Sequence, residues 1–477
     1  MSGLWVLQTA AERLAQAQQG LDTPLPQRLI GLLGMATMLG LAFLLSYDRK
    51  RINWRLVAAG LGLQLAFAII VLKTGPGRAF FSWVGGLITG LLGFQEQGAR
   101  FVFGNLVRNQ VPVGAPVAGG GLDTSAGMVA ETGAFFAFSV LPTIIFFSAL
   151  MSVLYYLGVM QLIVKGLAWV MQKTLRTSGA ETLSASGNIF LGQTESPLLI
   201  KPFVATMTQS ELITVMVGGF ATVAGGVLAA YVGMLSGYFP NIASHLLAAS
   251  VMNAPAGLLL SKMLLPETGT PVTRDSLAID VEAAKAERPR LLSPKSLRLS
   301  TGSKESSVIE AAANGAAQGV QLAINVAAML MAFVALVALL NFLLGWAGGL
   351  VGLPQLSLQG ILGFLLRPLA WVMGVPWQDT AYVGSLIGLK TTLNEFVAYA
   401  QFASDLGSGA ALSPRSAIIC TYALLGFANF SSIAIQIGGI GGLAPERRGE
   451  IARFGLRAMI AGNLAAMLSA SLAGMLI

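Results

Sequence analysis

Apolar runs of about twenty residues recur along this chain, and they decide its solvent. A helix needs ~20 residues to cross roughly 30 Å of hydrocarbon, and eight such runs lie near 28–47, 55–73, 135–157, 208–234, 243–262, 319–346, 413–437 and 455–476. Only 10% of the 477 residues are charged, against roughly 25% in a typical soluble domain. The expectation is an all-α membrane protein with eight transmembrane helices.

The charges that remain sit between the runs. Lys and Arg exceed Asp and Glu by 8, but this basic balance follows the rule that short cytoplasmic loops are rich in Lys and Arg, so no nucleic acid partner is expected. Arg49, Lys50, Arg51 and Arg55 lie between the first two runs, and Arg447, Arg448, Arg453 and Arg457 between the last two. The insert after the fifth run, Leu264 to Ser307, carries seven more cations and, counting spans, falls on the same side. Both termini are then expected on the outer face of the membrane. The first 27 residues are polar and offer no signal peptide, so the first span is expected to be retained. Residues 78–130 and 158–178 mix apolar and charged text as helices lying along the interface do. The Pro-rich, charged insert reads as a flexible cytoplasmic loop.

One cysteine, Cys420, and one histidine, His245, leave no disulfide, no Cys or His metal cluster and no second histidine to build a nucleophile–base pair. No enzyme is expected; His245 reads as a loop or interface residue.

Two stretches break the membrane rule. Residues 183–202 combine Gly187, Gly192, Pro197 and Pro202 with the polar Asn188, Gln193, Thr194, Glu195 and Lys201; residues 384–399 carry Lys390, Asn394 and Glu395. Unsatisfied peptide groups in lipid cost several kcal/mol each, so such backbone must be buried in protein or line a wet cavity. Each stretch predicts a re-entrant helical hairpin. An interrupted span follows each, with Gly218-Gly219 and Gly225-Gly226 in the first and Gly426 to Ser432 in the second. Span counting opens the two hairpins from opposite sides, the inverted-repeat layout of a secondary transporter with its site at the midplane.

The polar residues there admit more than one chemistry. An ionisable group at the bilayer centre costs ~2.5–3.5 kcal/mol or more, so Glu195 and Glu395 either pair internally with Lys201 and Lys390 or serve a site. A carboxylate accepts from two sugar hydroxyls, binds a cation or carries a proton. Gln193 and Asn429 offer donor and acceptor together, and Asn429 shares a helix face with Ser432, with Phe427 beside them. Asn188 and Thr222, with the carbonyls of Leu191 and Val223, form a candidate sodium cage of neutral oxygens. Thr222 has the alternative of bonding back to its own turn.

At these residues the sequence resembles the concentrative nucleoside transporter family. Gly192-Gln-Thr-Glu-Ser-Pro-Leu-Leu-Ile-Lys-Pro202 is similar to its first-hairpin motif, and Gly388-Leu-Lys-Thr-Thr-Leu-Asn-Glu-Phe-Val-Ala-Tyr399 to its G-x-K-x-x-x-N-E-F-V-A signature. Gly426-Phe-Ala-Asn-Phe-Ser-Ser-Ile433 resembles its broken seventh helix and Met252-Asn-Ala-Pro-Ala256 its fifth. Ser196, Phe203 and Thr222 stand where many relatives have Ala, Tyr and Ser.

The resemblance implies nucleoside import by symport with Na+ as coupling ion, H+ being the alternative, through an elevator-type homotrimer in the lipid bilayer. It implies that Gln193, Thr194, Glu195 and Val227 face the nucleobase, that Glu395, Asn429 and Ser432 hold the ribose near Phe427, and that Asn188, Leu191, Thr222 and Val223 form the sodium site. The expected division is 1–157 as scaffold spans and interfacial helix, 158–262 as first transport repeat, 263–307 as insert, 308–346 as interfacial helix and scaffold span, and 347–477 as second transport repeat. An intramembrane enzyme and a passive channel are the rival classes, and the sequence does not rank purines against pyrimidines.

Overall fold

The apolar runs fold as helices whose ends fall where the sequence supplies a cap. The computed structural model describes residues 23–108, 110–116, 122–123, 128–131, 136–274, 306–350, 352–410 and 412–477. The first run is α1 (Leu25–Leu45), with Pro at its start, and the second is α2 (Trp54–Leu72), whose first turn is capped by Asn53 accepting from the Leu56 N–H at 3.2 Å. A 29-residue helix, α3 (Gly75–Phe103), follows. The third run enters through a π-helical turn at Phe136–Val140 and continues as α4 (Leu141–Tyr156), after which come α5 (Val159–Leu175) and α6 (Gly179–Gly187).

The fourth run is split into α7 (Gln209–Ala221) and α8 (Gly225–Leu235), and the fifth is the continuous α9 (Ile242–Leu264). Next come α10 (Val308–Leu350), α11 (Leu358–Val372), α12 (Thr380–Thr392) and α13 (Glu395–Gly407). The seventh run is split into α14 (Pro414–Leu424) and α15 (Phe430–Leu443), and α16 (Arg448–Leu476) closes the chain.

Among the described residues seven helical stretches are long and apolar enough to cross a membrane. The seventh predicted span, 413–437, is absent from that number because the break at Leu425–Asn429 leaves helices of 11 and 14 residues. The sixth run, expected at 319–346, starts eleven residues earlier, since Glu310 and Asn314 hide a helix that hydropathy alone does not register. All-α also gives way locally. Gln110–Pro112 pairs antiparallel with Val129–Glu131, and Ala115–Pro116 with Leu122–Asp123, where β-branched residues and prolines disfavour helix. Residues 1–22 and 275–305, with most of the expected insert, lie outside the described residues. His245 sits in the first turn of α9 beside Phe239 and Tyr422, not in a loop.

The interior belongs to the split helices and their neighbours. The apolar window of α7–α8 is 89% buried, those of α9 and α16 are 78% and 83%, and that of α10 is 0%. α10 packs on α4 through Gly315 and Gly319, where a Cβ would lie 2.6 Å from Ser152 Cβ and from Ile145 Cα respectively. Small residues at that spacing let two membrane helices approach closely.

The basic loops gather at one end. Tyr47 donates its N–H to the Leu264 carbonyl (2.8 Å), Arg457 stacks over the Tyr47 ring (4.0 Å), and Arg447 Nη1 donates to the Met207 carbonyl (2.6 Å). At the far end Arg415 donates to the carbonyls of Gln27, Gly374 and Gly474 at 3.2, 2.8 and 2.6 Å, holding the start of α1 to the end of α16.

Gly426 makes the second break possible. Its φ is +111° and a Cβ would lie 2.7 Å from the Phe220 carbonyl oxygen, so both strain and backbone clash oppose any side chain. Gly426→Ala is expected to destabilise the protein by about 2–4 kcal/mol, whereas Gly442→Ala, where a Cβ meets nothing within 4 Å, is expected to be neutral. Thermal unfolding of the two purified variants makes the comparison.

Candidate substrate and ion site

Both interrupted stretches fold as helix, break, helix. After α6 the chain turns through Asn188–Glu195 into a 3-10 turn, Ser196–Ile200, and a four-residue helix, Lys201–Val204. Between α12 and α13 only Leu393 and Asn394 intervene, and Asn394 caps α13 by accepting from the Val397 N–H at 2.8 Å. Asn429 does the same for α15, accepting from the Ser432 N–H at 2.9 Å. One side-chain type thus ends both breaks.

The tip of the first stretch is wedged between α7 and α15. A Cβ on Gly219 would lie 2.9 Å from Gln193 Cβ, and one on Gly439 2.8 Å from Thr194 Cγ2. Bare backbone on both helices is therefore what admits the tip. From there a chain of hydrogen bonds runs through the interior. Gln193 Nε2 donates to Ser432 Oγ (3.0 Å), and Gln436 Nε2 donates to Gln193 Oε1 (3.1 Å) and to the Met216 carbonyl (3.0 Å). Asn429 Nδ2 donates to Glu395 Oε2 (2.8 Å), and the Tyr231 hydroxyl donates to Glu395 Oε1 (3.2 Å). Glu395, at 4% exposure, is thus held by two neutral donors.

The internal ion pairs are not what the structure contains. Lys390, fully buried, donates to the carbonyls of Ala423 and Leu425 at 3.0 and 3.1 Å. Those are orphan acceptors at the negative end of α14, where a cation is favoured. Glu195 folds back on its own turn, Oε2 accepting from the Gly192 N–H at 2.7 Å, and its side chain is exposed. Val227 is buried in the first turn of α8, one helical turn before Tyr231 and on the same face.

Two of the ion candidates, Asn188 and Thr222, meet at Gly218. Asn188 is fully buried, and neither its Nδ2 nor its Oδ1 has a hydrogen-bond partner; a Cβ on Gly218 would lie 3.2 Å from that Nδ2. The Thr222 hydroxyl donates to the Gly218 carbonyl at 2.8 Å, the backward bond expected of a membrane threonine, which leaves its lone pairs unused. Val223 lies in the break itself, and Leu191 follows Phe190, whose carbonyl accepts from the Gly225 N–H at 2.8 Å. An orphaned buried polar group costs about 1–3 kcal/mol, and a cation coordinated by the Asn188 oxygen would offset the part of that cost that falls on Oδ1. The donor set suits sodium: neutral oxygens, with no cluster of three or more His, Cys, Asp or Glu among the described residues.

The two breaks are also tied to each other and to the helices behind them. The Phe427 N–H donates to the Thr222 carbonyl at 3.3 Å. Asn253 of α9 donates to the Ala221 carbonyl and Asn463 of α16 to the Ala428 carbonyl, each at 2.8 Å. The same device closes both halves. Tyr231, Gln436, Asn253 and Asn463 are additions to the residues singled out by sequence. Gln436 was legible from spacing, since 429, 432 and 436 fall on one helix face; Tyr231 was not, its partner being 164 residues away.

A membrane protein with a polar cluster between two split helices of like construction is a secondary-transporter architecture. Family models agree: "Na+ dependent nucleoside transporter N-terminus" matches residues 33–106, "Nucleoside recognition" 137–238, and "Na+ dependent nucleoside transporter C-terminus" 245–474. The uncharacterized transporter YutK of Bacillus subtilis is 45% identical over 94% of this chain and 99% of its own length. Sodium/nucleoside cotransporter 1 of Mus musculus is 41% identical over 94% of this chain and 64% of its own. Among solved structures, CNTnw in an inward-facing substrate-bound state matches with TM-score 0.78 and 42% identity, over 94% of this chain and 97% of that one. The chain belongs to the Na+-dependent nucleoside transporter family.

Proposed function

We propose that this protein imports nucleosides by sodium symport. The observation that carries the proposal is the buried cluster at the seam of the two halves, where Gln193, Glu395, Asn429 and Ser432 present amides, a hydroxyl and a carboxylate at hydrogen-bonding distance of one another. Glu395 and Asn429 would take the ribose hydroxyls, Ser432 and Phe427 would flank the sugar, and Gln193, Thr194, Glu195 and Val227 would take the base. Asn188 and Thr222, with the Leu191 and Val223 carbonyls, would take sodium.

In this account the stretches at 183–202 and 384–399 are re-entrant hairpins that, with α7, α8, α14 and α15, form the moving part of an elevator. α4 and α10 belong to the scaffold, and the exposed apolar face of α10 is the surface that a homotrimer would cover. The basic end of the bundle is cytoplasmic, which places both termini outside in a bacterial inner membrane. Moving one charge through 100 mV supplies ~2.3 kcal/mol, enough for roughly 40-fold accumulation at ~1.4 kcal/mol per decade.

Radiolabelled uridine uptake into proteoliposomes tests this. An inward sodium gradient is expected to drive accumulation above equilibrium, and choline in place of sodium at constant pH to remove it. Uptake that persists in choline and collapses with a protonophore would transfer the coupling to protons; no uptake under either condition would refute the nucleoside assignment.

A further inference from the structure

At the end of the bundle where the basic loops meet, two adjoining cavities of about 250 and 180 Å3 share Asn53, Leu56 and Arg176 as walls. Four cations line the larger one, Arg51, Arg176, Lys262 and Arg274, and Arg55 and Lys173 line the smaller. Two carboxylates also face the larger cavity, but both are occupied. Glu181 forms an ion pair with Lys262 (2.7 Å) and accepts from the Ser178 N–H (2.8 Å). Glu267 accepts from Lys262 (3.2 Å), the Thr208 hydroxyl (2.8 Å) and the Gly269 N–H (2.9 Å). Lys262 is thereby consumed as well. Arg51 pairs with Asp48 at 3.3 Å on the surface, a contact worth little in water. Arg55, Arg176 and Arg274 have no ion pair among the described residues.

Arg176 is held there against its own backbone preference. It terminates α5 with φ +56°, alone among the described non-glycine residues in having a positive φ. Glycine takes this helix-ending position at no steric cost, so the structure spends backbone strain to place a guanidinium in the cleft. The capped N-terminus of α2, with its positive dipole end, faces the same space through Asn53.

Two tryptophans fix the level. Trp54, in the first turn of α2, is 57% exposed and Trp169 of α5 is 52% exposed, with the Lys173 ammonium 4.8 Å above the Trp169 ring. Exposed tryptophans of membrane proteins sit at the headgroup layer, and basic pockets there bind anionic lipid heads.

We propose that this cleft holds the headgroup of an anionic phospholipid, its phosphate taken by Arg176 and Arg274 and its acyl chains lying along the exposed apolar side of α5. Such a lipid would fasten the joint between α5 and α6, the foot of the first hairpin. The proposal needs only a membrane and stands apart from the nucleoside assignment.

The test is thermal unfolding of the purified full-length protein titrated with phosphatidylglycerol, phosphatidylcholine or inorganic phosphate. Phosphatidylglycerol alone is expected to raise the melting temperature. Arg176→Gly with Arg274→Gln, which removes two charges and relieves the backbone, is expected to need roughly 25-fold more of it for the same rise, from about 1 kcal/mol per cation near an anionic surface. Lys50→Gln with Arg453→Gln, equal in charge and outside the cleft, is expected to titrate as the wild type does. An equal weakening in that second pair would reduce the effect to diffuse attraction and overturn the site. An equal rise with inorganic phosphate would make it a soluble-anion site, and no rise with either would leave no site at all.

Discussion

Glu395→Gln is expected to abolish measurable nucleoside uptake while leaving a folded protein. The carboxylate is buried and its two oxygens accept from the Tyr231 hydroxyl and the Asn429 amide, neutral donors that sugar hydroxyls can join or displace. Charge-assisted hydrogen bonds are worth about 1.5–3 kcal/mol each. Losing two of them weakens binding by roughly 140-fold or more at 1.4 kcal/mol per decade. Glutamine keeps the shape and one acceptor oxygen, so the stability loss is expected to stay near 1–2 kcal/mol. Calorimetric titration with uridine and 3′-deoxyuridine separates binding from packing. The wild type is expected to reject the deoxy analogue strongly, because it leaves a buried carboxylate without its partner; the variant is expected to bind both equally weakly. A variant that still discriminates between them would remove Glu395 from the sugar.

Asn188→Ala is expected to abolish the sodium dependence of both stability and uptake, with an opposite sign in sodium-free buffer. A ligand at 100 times its dissociation constant stabilises its host by about 2.7 kcal/mol, and in the wild type this appears as a sodium-dependent rise in melting temperature that lithium or choline does not reproduce in full. Without sodium, Asn188 is an amide buried with neither end bonded, so removing it offsets the small cavity left behind and the variant is expected to melt no lower than the wild type. An asparagine serving packing alone predicts the reverse: destabilisation in both buffers and an unchanged sodium response.

Hydropathy located the helices well wherever a run was apolar throughout. The fifth run, expected at 243–262, is α9 (Ile242–Leu264), and the first and second differ from α1 and α2 by three residues or fewer. It fell short where polarity and helix coexist, as in the first three turns of α10, and where length hid a break, as between α14 and α15. Glycine marked both splits, Gly225-Gly226 at the first and Gly426 at the second, while Gly219 and Gly439, inside α7 and α15, admit the tip of the 183–202 stretch. The site was legible as composition: amides and carboxylates at depths where lipid forbids them. Its wiring was not. That Lys390 caps α14 instead of pairing with Glu395, and that Tyr231 supplies the carboxylate's second donor, depends on contacts that local periodicity does not encode.

Those contacts are also far apart in time. Gln193 meets Ser432 across 239 residues and Gln436 across 243, and Tyr231 meets Glu395 across 164. At about 5–20 residues per second, a ribosome takes roughly 10–50 s to deliver the second member of each pair. During that interval the first half of the chain lies in the bilayer with its glutamine and tyrosine lacking the partners they hold in the finished protein. The candidate ion residues Asn188 and Thr222 and the basic cleft lie wholly in the first half, so only the links between the halves, such as Gln193 to Ser432, wait for α15 to arrive.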